Sequence, residues 1–439
     1  MQLYDSRTQK KITIPNDQVG MYCCGPTVYN DVHIGNVRPL ITFDILYRYL
    51  LHSKIKTTYV HNITDVDDKI INKAQEVNVS ESKISEEYTD HYTTVMKQLN
   101  ALKMDELPKV TKNIDGIIKY VEKLVNLDKA YVSQEGDVYF SIDTVKDTYG
   151  EISKQNIEQL LDGVRKENKK DKRNLLDFVL WKKTDLGINW KTPWSEHGRP
   201  GWHTECAYFI NKFFGDTVTI HGGGIDLKFP HHENENAQNI ALTGKEMASV
   251  WMHVGHININ NVKMSKSLNN FIYAKDLISD YGSNVIRWYF LQAHYASPMN
   301  FSKDLMEQNR NEFNKFIKLI NNALVQLLLF QVDYKFEQVE VSREFKNYME
   351  DNLDFANVVS LLWSKAKGLT TPIRNKTFDA VIDTLNNMIS ELEILGITVE
   401  TKFDKSVVSI IADWRKALET KDYKTADAKR NELQILNII

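Results

Sequence analysis

Residues 19–51, VGMYCCGPTVYNDVHIGNVRPLITFDILYRYLL, carry the pattern on which the fold turns. Val19 to Cys24 is a short apolar run of strand character that ends at Gly25-Pro26, a pair that marks a turn. A polar stretch leads to His33-Ile34-Gly35-Asn36. Leu40, Ile41, Phe43, Ile45, Leu46 and Tyr49 then recur at the spacing of a largely buried helix over Val37 to Leu51. A strand end, a turn and a helix start in that order make a place where backbone N–H groups and the helix dipole favour an anion. Gly35 lets the backbone come close, and His33 and Asn36 can each donate a hydrogen bond to a phosphate oxygen. An ordinary capped helix with a surface histidine fits the same four residues, so HIGN alone leaves both readings open.

The same alternation continues outward. Lys56 to His61 (KTTYVH) is β-branched and strand-like, while Asp65 to Val77, Lys83 to Leu99 and Asn113 to Leu127 read as helices. Strands alternating with helices predict a parallel sheet with right-handed crossovers. Near Tyr131 the texture changes: AYVSQEGDVYFSI reads as a hairpin, and Arg165 to Arg173 (RKENKKDKR) as a solvated charged loop. Strand–loop–helix texture returns at Trp202, and beyond Phe301 only amphipathic helical segments remain. The expected fold is therefore α/β. A Rossmann-like parallel-sheet domain occupies 1–106 and 194–300, an insertion occupies 107–193, and an all-α helical-bundle domain occupies 301–439.

The 439 residues exceed the usual size of one hydrophobic core, and 42% hydrophobic with 26% charged residues is an ordinary globular composition. The N-terminal MQLYDSRTQKKITIPND lacks the apolar core of a secretory leader, and the longest apolar run, Ala323 to Leu329, is too short to cross a bilayer. A cytoplasmic protein with no membrane association is expected. A net charge of −3 removes overall basicity as a sign of nucleic-acid binding, so any such contact needs local basic surface. Cys23, Cys24 and Cys206 are too few for a disulfide framework.

Three further islands bear on chemistry. Lys263-Met264-Ser265-Lys266-Ser267 places two lysines and small hydroxyls where they can gather round a polyphosphate and stabilise charge on a departing pyrophosphate; a solvated lysine loop is the plainer alternative. In His231-His232-Glu233-Asn234-Glu235, a helix begun at Pro230 puts His231 and Glu235 on one face, in good geometry for zinc, with His232 pointing away and held in reserve. The plainer alternative is a polar helix face. Gly201-Trp202-His203-Thr204-Glu205-Cys206 and His221-Gly222-Gly223-Gly224-Ile225-Asp226 put a cysteine in the same half-domain, and the glycines mark a close backbone approach to a ligand or another segment.

An early HIGN and a late KMSKS bracketing an α/β domain resemble the class I aminoacyl-tRNA synthetases. CGPTVYNDVHIGN, NITDVDDKI from Asn62, RPGWHTEC from Arg199, HGGGIDLKFPHHENENAQ and KMSKSLNNF together resemble the cysteinyl-tRNA synthetases, in order and spacing, from the N-terminus to about residue 310. The resemblance implies a catalytic α/β domain that activates L-cysteine with ATP and transfers it to tRNA(Cys). It implies a zinc ion held by Cys24, Cys206, His231 and Glu235, and an amino-acid pocket lined by Thr64, Trp202, His221 and Asp226. ATP phosphates would meet His33, Gly35 and Asn36, Lys263 and Lys266 would stabilise the adenylation transition state, and Mg²⁺ would accompany ATP. A zinc ion with an open position takes a thiolate in preference to a hydroxyl, which separates cysteine from serine better than pocket shape does. A monomer is expected by the same resemblance.

Asn36 stands where that element often ends in histidine, and Cys23 where an aliphatic residue is common; Cys23 reads as strand packing. The chain ends at Ile439, where the family usually continues into a short β-rich piece that reads the anticodon. Two alternatives share part of these features: a paralogous ligase passing cysteine to a small amine, and a non-catalytic RNA-binding or zinc-structural protein.

Overall fold

The computed structural model describes residues 1–155, 171–264 and 271–439. Its central sheet has four parallel strands in the order Ala248–Val254, Val218–Gly224, Gln18–Cys23, Lys56–His61. The helix Ile34–His52 connects Gln18–Cys23 to Lys56–His61, and the helix Glu233–Thr243 connects Val218–Gly224 to Ala248–Val254. The two βαβ units thus run outward in opposite directions from the paired strands Gln18–Cys23 and Val218–Gly224. Where strand order reverses in this way, a crevice opens beyond the carboxyl ends of the strands. The Cys24 N–H donates to Gly222 O at 3.1 Å, carrying the pairing one residue past the Cys23–Gly222 register.

The two middle strands are buried on both faces, as a parallel sheet covered by helices requires. The helix Ile34–His52 is buried nearly all round, at Leu40, Ile41, Phe43, Ile45, Leu46 and Tyr49 and also at Arg38, Thr42 and Asp44. It begins at Ile34, ahead of the expected Val37, because His33 and Asn36 close a capping box around its first turn. The helix expected from Asp65 starts at Asp68 because Asp67 caps it, accepting from the Lys69 N–H at 2.8 Å. Ser80 caps Glu81–Gln98 in the same way.

Gly222 shows what the triple glycine provides in the fold. A Cβ at that position would lie 1.8 Å from Met252 O, so the close approach is to the chain's own neighbouring strand.

Residues after Leu107 form the helix Ile114–Asn126 and an antiparallel sheet of Ala130–Val132, Val138–Phe140, Phe178–Lys183 and Gly198–Pro200. The expected hairpin is there, with Ala130 opposite Phe140. Val138, Phe140, Leu180 and Trp181 share one hydrophobic core with Tyr22, Val60, Cys206, Phe209 and Trp251. The antiparallel sheet therefore packs into the same core as the parallel one. Most of the Arg165–Arg173 run lies outside the described residues; Arg173 lays its guanidinium over the Tyr131 ring at 4.0 Å.

Two compact units emerge. The first comprises Met1–Asn258, Lys263–Leu277 and Tyr295–Met299, and the second Ile259–Val262, Ile278–His294 and Asn300–Ile439. The second is helical. Its helices Lys303–Leu329, Arg343–Glu350, Phe355–Gly368, Lys405–Glu419 and Tyr423–Ile435 start at Ser302, Ser342, Asp354, Asp404 and Asp422, and each cap accepts from a backbone N–H three residues on. Val325 and Leu329 pack with Val407, Ile411, Trp414 and Leu433. Among the described residues, no helix is long and apolar enough to cross a membrane.

Gly222→Ala is expected to lower stability by about 1–3 kcal/mol, because the new methyl must displace a sheet carbonyl. Gly368→Ala, where an added Cβ meets nothing within 4 Å, should be neutral or mildly stabilising. Urea unfolding midpoints of the two variants test the contrast.

Candidate active site and metal-ligand cluster

The crevice at the strand reversal collects side chains from four elements. Cys24 follows the Gln18–Cys23 strand, Cys206 lies on the helix Trp202–Phe214, and His231 and Glu235 come from the turn and helix after Val218–Gly224. One ligand atom from each lies within 4.8 Å of all the others. Cys24 Sγ is 3.7 Å from Cys206 Sγ and 3.8 Å from Glu235 Oε1. In a tetrahedral zinc site with ordinary bond lengths, neighbouring ligand atoms lie about 3.3–3.8 Å apart. His231 Nε2 and Glu235 Oε1 are closer, at 2.7 Å, in a direct hydrogen bond that must open if both are to hold one ion. Two soft thiols, an imidazole and a carboxylate, three of them buried, form a donor set suited to zinc.

The local fold explains this convergence and corrects one expectation. Phe229 precedes Pro230 and is extended (φ −141°, ψ 135°), as a residue before proline prefers. The regular helix starts only at Glu233, so His231 and His232 occupy an irregular turn. His232 consequently does not point away: its Nε2 lies 3.4 Å from Cys24 Sγ, and Cys24, His221, His232 and Glu235 form a second compact donor group. In the first group His221 remains available to orient Glu235 from behind, with Nε2 at 2.6 Å from Oε2, the usual arrangement behind a metal ligand. His232 continues outward to His253 at 2.8 Å, and His253 to Ser6 Oγ at 2.8 Å.

Charge in this buried place is strongly coupled. Burial by itself would push the Glu235 carboxyl up, but His231 and His221 hold it well below the usual carboxylate range. Burial would lower His231, yet the facing Glu235 charge raises it to about 10. Burial raises the Cys24 thiol well above its ordinary value. Cys206 also feels burial, but the hydrogen bonds from Cys24 and His231 bring it down to about 6.

Around the cluster, Trp202 stacks on His231 with ring centroids 4.1 Å apart while remaining partly exposed. Asn62 Oδ1 lies 3.7 Å from Cys206 Sγ, and Asn62 Nδ2 donates to Thr64 Oγ1 at 3.3 Å. Thr64 in turn donates to the buried Glu205 at 3.0 Å. Thr64, Trp202 and His221 thus lie beside the four donors. Asp226 is exposed on the following turn, with its Oδ1 close to Gly224.

The start of the helix Ile34–His52 differs from the expected anion cradle. Its first backbone donors are all committed. Ile34 N–H donates to Ile272 O at 2.9 Å, Gly35 N–H to His33 Nδ1 at 3.1 Å, and Asn36 N–H to His33 O at 2.9 Å. Because Nδ1 accepts, a neutral His33 carries its proton on Nε2. Asn36 Oδ1 accepts from the His33 N–H at 3.2 Å, which leaves its Nδ2 as the donor end. The backbone amides of this first turn are therefore already paired within the protein. Gly35 makes the geometry possible, since a Cβ there would lie 2.9 Å from the His33 ring. Lys263 ends a short strand, Val262–Lys263, and Lys266 lies outside the described residues.

Sequence reasoning missed His203, Glu205 and His253. His203 Nδ1 meets His231 Nδ1 at 3.0 Å. His203 and Glu205 sit within a quoted motif, but nothing in their spacing separated them from helix-surface residues. His253 lies on a β-strand with no motif around it.

A family model of the tRNA synthetases class I (C) catalytic domain matches residues 10–311. The chain is 45% identical to the cysteine–tRNA ligase of Ureaplasma parvum over 100% of both chains, and 44% identical to that of Malacoplasma penetrans over 99% of both. The cysteine–tRNA ligase of Mycoplasmoides gallisepticum is 43% identical, again over 99% of both. Among solved structures, Mycobacterium tuberculosis methionyl-tRNA synthetase in complex with methionyl-adenylate superposes with a TM-score of 0.65 at 12% identity, covering 91% of this chain and 94% of that one, a likeness of fold. With relatives of this identity spanning its whole length, the chain belongs to the class I cysteinyl-tRNA synthetases.

Proposed function

We propose that this enzyme activates L-cysteine with ATP as cysteinyl-adenylate and transfers the cysteinyl group to the 3′ end of tRNA(Cys). The observation that carries the reading is the compact, largely buried group Cys24, Cys206, His231 and Glu235 at the reversal of strand order. A zinc ion held by these four would supply a soft position that takes a cysteine side chain as thiolate and disfavours a serine hydroxyl. His221 fixes the Glu235 carboxylate, and Trp202 covers His231 and forms one wall of the amino-acid pocket. Thr64, linked through Asn62 to Cys206, would line the same pocket. Asp226 would reach the amino-acid pocket only from the exposed turn it occupies.

Adenylation is an in-line attack of the cysteine carboxylate on the α-phosphorus of ATP, with pyrophosphate leaving. The attacking group is already ionised at neutral pH, so no general base is required. His33 through Nε2–H and Asn36 through Nδ2 donate to phosphate oxygens, while Lys263 and Lys266 balance the charge that grows on pyrophosphate. Mg²⁺ accompanies ATP. The terminal ribose hydroxyl of the tRNA then attacks the adenylate carbonyl and AMP leaves, a step that relies on positioning. The helical unit is the surface proposed for the tRNA body.

The purified protein is expected to charge total bacterial tRNA with cysteine and not with serine, in an ATP-dependent reaction. Cysteine-dependent ATP–pyrophosphate exchange without charging would instead favour a ligase acting on a small amine. Cys206→Ser should lose bound zinc and cysteine activation together; stoichiometric zinc in that variant by elemental analysis would sink the ligand assignment. Gly35→Ala, which pushes the His33 ring from its place, should lower exchange about 10-fold or more through the nucleotide step, with zinc content unchanged.

A further inference from the structure

The loop Asn30–Ile34 carries more contacts than the proposed reaction uses. The segment Phe271–Lys275, which follows the KMSKS pentapeptide in the chain, pairs with it as a short antiparallel bridge between His33 and Tyr273. Ile34 N–H donates to Ile272 O and Ala274 N–H to Val32 O, both at 2.9 Å. The His33 ring packs against Phe271 with centroids 5.2 Å apart. The first N–H of the HIGN helix is thus capped by backbone from beyond KMSKS, so the position of His33 depends on where residues 271–275 sit.

Side chains hold this bridge from one edge. Lys275 Nζ lies 2.7 Å from Asp31 Oδ2, and His91 Nδ1, on the helix Glu81–Gln98, lies 2.8 Å from Asp31 Oδ1. Part-burial would raise the Asp31 carboxyl, but Lys275 and His91 hold it below its ordinary value. Asp31 is only 16% exposed while its partners are 54% and 45% exposed, so the carboxylate is the fixed member and the cation comes to it. Asn30 Nδ2 adds a contact to Tyr273 Oη at 3.5 Å.

We propose that Asp31 is a positioning residue for nucleotide binding: by clasping Lys275 it registers the segment after KMSKS against the HIGN loop and so aims His33. The inference rests on the reading that His33 faces ATP. It distinguishes Asp31 from the cysteine pocket, because no contact in the clasp reaches Cys24, Cys206, His231 or Glu235 among the described residues.

Charge reversal and its rescue test the clasp on the zinc-loaded, full-length protein. Asp31→Lys should raise KM for ATP in cysteine-dependent exchange, and the Kd for ATP measured directly, by about 10-fold, with KM for cysteine unchanged. Lys275→Asp should do the same, and the exchanged pair Asp31→Lys with Lys275→Asp should recover most of the loss, since only the pairing is restored. The single-variant effect should shrink as salt rises, because the pair is partly exposed. Unchanged ATP affinity in Asp31→Lys, an equal rise in KM for cysteine, or failure of the exchanged pair to recover in a protein of unaltered melting temperature would overturn the proposal. Weaker ATP binding in the variant, with no cysteine-dependent exchange in the wild type, would instead leave the clasp standing and remove the proposed reaction.

Discussion

Glu235 has no exposed surface, and a carboxylate so placed needs several favourable partners to remain charged. Most of the crevice can be understood as meeting that demand. His231 approaches one oxygen and His221 the other, at 2.7 and 2.6 Å. His221 is itself fixed by Trp251 and Tyr22 from the strands that flank and precede it. Cys24 Sγ approaches the same carboxylate at 3.8 Å, and Cys206 Sγ lies 3.7 Å from the Cys24 sulfur. A single buried charge thus aligns groups that are 211 residues apart in the chain, Cys24 and Glu235.

Topology is what makes that convergence inexpensive. Because the two βαβ units diverge from adjacent central strands, the loops after Cys23 and Gly224 are neighbours without any special folding of either. The Cys24 N–H extends the ladder to Gly222 O, so the backbone that carries the first thiol is set by sheet hydrogen bonding, while Gly222 leaves room for the Met252 carbonyl of the strand on its other side. The helix bearing Cys206 packs into the same core as Tyr22 and Trp251. The cluster therefore inherits the rigidity of the sheet.

Much of this was legible in the residues because it depends on local rules. Val19–Cys24 and Lys56–His61 read as strands from apolar and β-branched content, and the sheet contains both within a residue or two. The buried helix after HIGN was visible in its apolar spacing, while its true start depended on a capping box formed by two side chains that also served as candidate phosphate donors. The turn at Phe229–Pro230 was less legible. A helix begun at proline puts His232 on the far face, whereas the extended residue before the proline and the irregular turn after it swing both histidines inward. The chain His232–His253–Ser6 was invisible because its members come from a strand, a turn and the N-terminus, related only in three dimensions.

The committed donors at the HIGN helix start alter how the motif should be understood. A helix N-terminus binds anions through backbone N–H groups only while those groups lack other partners. Here Ile34, Gly35 and Asn36 have each found one inside the protein, so the dipole remains but the amides do not. In the proposed reaction, recognition would fall to the side chains of His33 and Asn36, whose Nδ1 and Oδ1 are already used as acceptors within this turn. Asparagine suits position 36 under that proposal: its oxygen closes the capping box, and its amide nitrogen is the end that would donate. Glutamate could close the same box but would present a second carboxylate oxygen toward a phosphate, and the repulsion would work against the ligand the helix dipole favours.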